Sequence, residues 1–320
     1  MDSRFRGNDR RCEGNGFYKL THYVRIGRFA IRYDAQVALE LFVLFNFVAL
    51  GFDIFLAHSE NQFRRHAEYF PVYCAGGAAV FLTAGLLARE IWRRAAVWRD
   101  VGYLVGWVSI VTGLTGVIYH LDSQFFYERT LRSLTYAAPF AAPLALTGVG
   151  LLLIMNRMVE PGSRPWAEWV ILLTAGGFFG NFVLSLTDHA ANGFFHSVEW
   201  LPVVASAFAV SFLLVPFLVP VTRPYLGLCA LVLLFEAGVG ALGFVLHNLA
   251  NLNGPSANVF ENFVAGAPAM APLLFPNLAL LGWIGLWSLS GELGSQGMGQ
   301  AGVPKRRERR TWPCPPARPD

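Results

Sequence analysis

The chain has 320 residues, 54% of them hydrophobic and only 14% charged, with 32 Gly, 27 Phe and 9 Trp, where an ordinary soluble domain carries roughly 25% charged residues. That composition excludes a disordered polymer, a disulfide-stapled secreted module and a soluble enzyme of this size. Cys12, Cys74, Cys229 and Cys314 form no CxxC pair, which removes zinc-knuckle and dithiol chemistry, and the net charge of +4 acquires meaning only once the charges are placed along the chain.

Residues 1–32 read as a cytoplasmic N-terminal segment. Its opening MDSRFRGNDRR resembles translated intergenic repeat DNA, so residues 1–20 are read as a misassigned start, with no cleavable signal peptide ahead of the first span. Apolar runs of the roughly 20 residues needed to cross a bilayer then follow at 36–57, 70–92, 101–121, 134–156, 167–188, 199–221, 225–248 and 266–290. They are too long and continuous for barrel strands, and a helix is the alternative that satisfies its own backbone in lipid. The sequence therefore predicts an all-α integral membrane protein of eight transmembrane helices, in which 291–320, rich in Gly, Pro and Arg, forms a disordered cytoplasmic tail.

With eight spans both termini share a side. Of the 25 Lys and Arg residues, 21 fall on that side and only Arg64, Arg65, Arg129 and Arg132 on the other. The positive-inside rule assigns both termini to the cytoplasm. The basic balance is thus a topology signal and not a nucleic-acid footprint. The expected location is the bacterial cytoplasmic (inner) membrane, the bilayer is the implied partner, and the sequence does not say whether the chain forms a homo-oligomer or joins a membrane complex.

The chain also repeats itself. His58-Ser-Glu-Asn61-Gln-Phe63-Arg-Arg-His66-Ala-Glu68-Tyr-Phe-Pro71-Val aligns without a gap on His189-Ala-Ala-Asn192-Gly-Phe194-Phe-His196-Ser-Val-Glu199-Trp-Leu-Pro202-Val. Gly113-Leu-Thr-Gly116-Val-Ile-Tyr-His120 answers to Gly240-Ala-Leu-Gly243-Phe-Val-Leu-His247, and Ala138-Pro139 with Pro143 answers to Ala267-Pro268 with Pro272. The near-constant separation predicts a tandem duplication of a four-helix unit, with repeats at 33–158 and 165–290, related by a pseudo-twofold axis along the membrane normal.

Six of the seven histidines, His58, His66, His120, His189, His196 and His247, lie in these segments at outward helix ends, facing the periplasm. Glu68 and Glu199 recur with them, whereas Asp53 and Asp188 do not recur in register. Neutral imidazole with carboxylate suits copper, zinc or iron, so these six histidines and two glutamates form the candidate set for a transition-metal or redox cofactor site shared by the two repeats. For any one histidine the competing reading is an interfacial cap, and for each glutamate it is a charge favoured at a helix start. Glu236, Gly240, Gly243 and His247 fall on one helical stripe, and the mid-span Glu236 is a candidate for a proton path. Pro139, Pro143, Pro268 and Pro272 are expected to bend the fourth and eighth helices.

No HExxH, HxxxH, GxSxG or GxxxxGK[ST] is present, so the sequence does not choose a reaction. The alternatives to a metal centre are a proton- or metal-coupled transporter and a structural subunit of a membrane complex.

Overall fold

The computed structural model describes residues 22–26, 29–33, 35–92 and 94–301. Its first element is a β-hairpin of β1 (His22–Ile26) and β2 (Phe29–Tyr33), paired antiparallel with Val24 opposite Ile31. This hairpin falls inside the segment expected to precede the first span. The start expected at residues 1–20 lies outside the described residues.

Helices make up the rest. They are α1 (Ala35–Glu60), α2 (Tyr69–Glu90), α3 (Ala95–Asp122), α4 (Phe125–Glu128), α5 (Leu131–Thr135), α6 (Leu144–Met158), α7 (Arg164–Ala191), α8 (Trp200–Leu218), α9 (Arg223–Leu252), α10 (Val259–Ala265) and α11 (Leu274–Ala301). Seven of the helical stretches are long and apolar enough to cross a membrane, and α6 is a shorter apolar helix of 15 residues. Phe45, Tyr73, Val80, Leu104, Leu231 and Trp287 are all more than half exposed. A soluble protein rarely leaves so much contiguous apolar surface in water, and the fold is that of a polytopic helical membrane protein.

Proline explains where the structure departs from the expected fourth and eighth spans. The stretch 134–156 is divided into α5, a non-helical segment at 136–143 and α6. Pro139 and Pro143 lack a backbone N–H and disfavour helix at the residue before them, so helix resumes only after Pro143, which caps α6. The stretch 266–290 behaves alike: Pro272 sits in a 3-10 turn, Ala271–Leu273, and α11 starts at Leu274. These prolines therefore lie ahead of their helices instead of bending them. At its far end α11 continues to Ala301, into the segment expected to be disordered, because extending a formed helix avoids the cost of nucleation. The remainder of that tail, 302–320, lies outside the described residues.

Two apolar cores result. One gathers Leu39, Val43, Phe47, Leu82 and Leu153 from α1, α2 and α6; the other gathers Ile171, Phe178, Leu213, Leu233 and Ala279 from α7, α8, α9 and α11. Between them Asn46 on α1 and Asn277 on α11 exchange amide hydrogen bonds of 3.2 and 2.6 Å.

At the end of the molecule opposite the histidines, Arg157 on α6 donates two hydrogen bonds of 2.6 Å to the Glu40 carboxylate on α1, with both side chains at 1% exposure or less. The Arg157 guanidinium also lies 3.6 Å from the centre of the Trp98 ring. Beside this pair, Asn156 Nδ2 donates to the Gln36 carbonyl and Trp166 Nε1 donates to Asn156 Oδ1. Arg157 reads in the sequence as a cytoplasmic loop charge; here it is a buried strut.

Candidate functional site

The histidine end is built from one arrangement made twice. His58 stands in the last turn of α1, and Phe63 follows in the left-handed region at φ 49° with its N–H donating to the His58 carbonyl. His189 stands in the last turn of α7, and Phe194 follows at φ 51° with its N–H donating to the His189 carbonyl. The reversed chain then enters a 3-10 turn, His66–Glu68 or Ser197–Glu199, that leads into α2 or α8. Phe63 stacks on Tyr69 at 4.3 Å and Phe194 on Trp200 at 4.0 Å. Each stack fixes the loop so that a glutamate faces a histidine: Glu68 Oε2 lies 3.7 Å from His58 Nδ1, and Glu199 Oε2 lies 3.6 Å from His189 Nδ1. These separations are in ion-pair range but longer than a hydrogen bond, and neither carboxylate oxygen has a hydrogen-bond partner among the described residues.

The second histidine of each set comes from the long helix diagonal to the first. His120 Nδ1 is 2.9 Å from the Pro139 carbonyl, and His247 Nδ1 is 2.9 Å from the Pro268 carbonyl. A carbonyl only accepts, so Nδ1 carries the proton in both rings and the Nε2 lone pair of the neutral imidazole is left to bind. The carbonyls are themselves held. The Ala138 N–H donates to Ser123 Oγ, and the Ala267 N–H donates to Asn251 Oδ1 while Asn251 Nδ2 donates to the Ala267 carbonyl. Glycine makes the approach possible, since a Cβ at Gly113 would come within 2.7 Å of the Pro143 carbonyl and one at Gly240 within 2.6 Å of the Pro272 carbonyl. The His58 and His120 rings meet edge to face, with centroids 6.2 Å apart.

The remaining histidines are placed differently. His66 is exposed in its 3-10 turn. His196 precedes the matching turn, its backbone carbonyl accepting from the Glu199 N–H and its backbone N–H donating to Glu199 Oε1. The residue that precedes the first turn is Arg65, so His66 and His196 do not share a role. Among the described residues, no group of three or more His, Cys, Asp or Glu side chains is brought together as a metal ion would require.

The second arrangement opens onto a large cavity, of about 980 Å³. His189, His196, Glu199 and His247 line it with Asp188 and Asn181, and Thr135, Tyr136 and Pro139 close one wall. Asn181, Ser185 and Asp188 on α7 were not singled out as a set by sequence reasoning, although their spacing of four and three residues marks a polar helical stripe. Glu236 is fully buried on α9, and neither of its carboxylate oxygens has a hydrogen-bond partner among the described residues. Asp53, on α1, is not among the lining residues. Near the same end, hydrogen bonds from Ser256 and Asn258 hold the exposed Glu261 carboxyl below the ordinary carboxylate range. Comparison with family models, with curated proteins and with solved structures finds no match to this chain.

Proposed function

We propose that the chain is a tandem duplication of a four-helix membrane unit that binds a small polar or ionic solute in the His189–Glu199–His247 cavity, as a solute carrier of the bacterial inner membrane. The observation that carries this reading is the cavity itself. It is large enough for a small metabolite, and imidazole, carboxylate and amide groups converge on it from α7, α8 and α9. The Glu199 oxygen held 3.6 Å from His189 gains a charge-assisted hydrogen bond once that imidazole is protonated or ligated. In the orientation read from the basic residues, the cavity faces the periplasm.

A transition-metal centre is the second reading. It is favoured by the Nδ1 contacts, because a ligating histidine usually engages its other ring nitrogen with a carbonyl or carboxylate. In that reading His58 with His120, and His189 with His247, offer Nε2 to copper, zinc or iron, and Glu68 and Glu199 orient the rings instead of ligating. Solute or solvent supplies the remaining positions, and His66 and His196 stay outside the set.

Thermal unfolding of the detergent-purified chain against a panel of small polar metabolites and ions tests the first reading. A stabilising solute is expected whose shift in Tm is lost in His189→Ala and His247→Ala and kept in His58→Ala. A shift kept in all three overturns the assignment to this cavity. Stoichiometric metal in the wild type, lost in the His58→Ala/His189→Ala double variant, selects the metal centre instead.

A further inference from the structure

A buried carboxyl, Glu236, lies beneath the cavity. Gly240, Gly243 and His247 on α9 all line the cavity. Glu236 lies on the same helical stripe, four residues and about 6 Å beneath Gly240. Across the floor stands Asn181 on α7, which lines the cavity at 5% exposure and whose Nδ2 has no partner among the described residues. A buried donor and a buried carboxyl left unpaired are each costly. Buried polar groups are otherwise hydrogen-bonded to protein or to water, so each of the two calls for a partner.

The polar column above this pair has no counterpart in the first repeat. Asn181, Ser185 and Asp188 fall on one face of α7, while the positions 131 residues earlier on α1 are Leu50, Ile54 and Ala57. The position 127 residues before Glu236 is Ser109, which is buried and satisfied by the Val105 carbonyl. On this face the first histidine set thus stands above apolar residues of α1 and the second above polar residues of α7.

We propose that Glu236 is a proton-binding carboxyl that exchanges its proton with the cavity through water hydrogen-bonded to Asn181, and that this branch belongs to the second repeat alone. It deepens the carrier reading by making the proton the coupling ion. The titratable groups on the cavity side of Glu236 are Asp188 and His189 from α7, His196, Glu199 at the start of α8, and His247 from α9; Tyr225 and Cys229 lie two to three turns beneath it on α9, and α8 beyond Glu199 and residues 274–291 of α11 carry no titratable side chain.

Infrared difference spectroscopy of the full chain in lipid, with transfer into D₂O, reads the proton directly. A protonated-carboxyl band is expected that disappears in Glu236→Gln and whose deuterium exchange slows at least tenfold in Asn181→Leu, the residue found at position 50. Leu50→Asn and Ser109→Ala are expected to leave the band and its exchange unchanged. Loss of the band in Glu236→Gln with exchange unaffected by Asn181→Leu overturns the route, and no band assignable to Glu236 at any pH overturns the site. The isosteric Glu236→Gln keeps the wild-type Tm if the carboxyl has no structural role. Solute-induced stabilisation, measured in parallel on His189→Ala, reports on the cavity independently, so failure of the carrier reading and failure of the proton site are told apart.

Discussion

Glu40 and Arg157 are almost wholly withdrawn from solvent, so removing either one strands the other as a buried charge. The cost of breaking such a pair is about 3–5 kcal/mol, while replacing both partners by apolar residues of similar volume is often neutral. Arg157→Met and Glu40→Leu are each expected to lower stability by that amount in detergent, and the double variant Glu40→Leu/Arg157→Met to recover most of it. Thermal unfolding followed by a buried tryptophan reads the difference; equal losses in single and double variants would show that the pair acts through Trp98 packing alone. Gly102 gives a second handle on the same contact, since a Cβ there would collide with the Arg157 guanidinium. The pair was hidden in the sequence because an arginine just after an apolar run reads as an interfacial charge. Its burial depends on Glu40, which lies 117 residues away.

At the scale of the helices, the small residues matter through what they let approach. Gly113 and Gly240 let the segments that carry Pro143 and Pro272 lie against α3 and α9, which places the Pro139 and Pro268 carbonyls on His120 and His247. A side chain at either glycine forces the segments apart. Gly113→Leu and Gly240→Leu are expected to cost about 1–3 kcal/mol, as overpacking does, and only Gly240→Leu is expected to abolish solute-dependent stabilisation. Thermal unfolding with and without solute checks both effects, and equal loss of solute response in the two variants would contradict the assignment to the second repeat. The pairing of GxxGxxxH with an Ala-Pro segment was legible in the sequence because both motifs recur at similar offsets. What joins them was not legible. Proline was weighed as a residue that breaks helices, whereas its free carbonyl is the group the histidine uses. The α7 stripe is hard to read in the sequence for the opposite reason, since Asn181, Ser185 and Asp188 do not recur.

For the molecule as a whole, the open quantity is the number of crossings, and it turns on α6. At 15 residues and 1.5 Å each, α6 spans about 22 Å, short of the roughly 30 Å hydrocarbon core. The segment ahead of it must supply the rest. Irregular backbone is tolerated at membrane depth where it lines a cavity, and Thr135, Tyr136, Ala137 and Pro139 do line one. If the segment and α6 together complete a crossing, four crossings separate position 61 from position 192 and both lie on one face. Without that crossing the number is three, and the two positions lie on opposite faces. Asn61→Cys, Asn192→Cys and Glu160→Cys, each in a background with the four native cysteines changed to serine, separate these outcomes by labelling with a membrane-impermeant maleimide. Positions 61 and 192 are expected to react in intact cells and position 160 only after lysis, in keeping with the arginine-rich face lying inside. Labelling of 61 and 192 from opposite sides would remove α6 from the set of crossings. It would also put the two histidine sets on different faces, where no shared outward site and no parallel repeat of a four-helix unit survives.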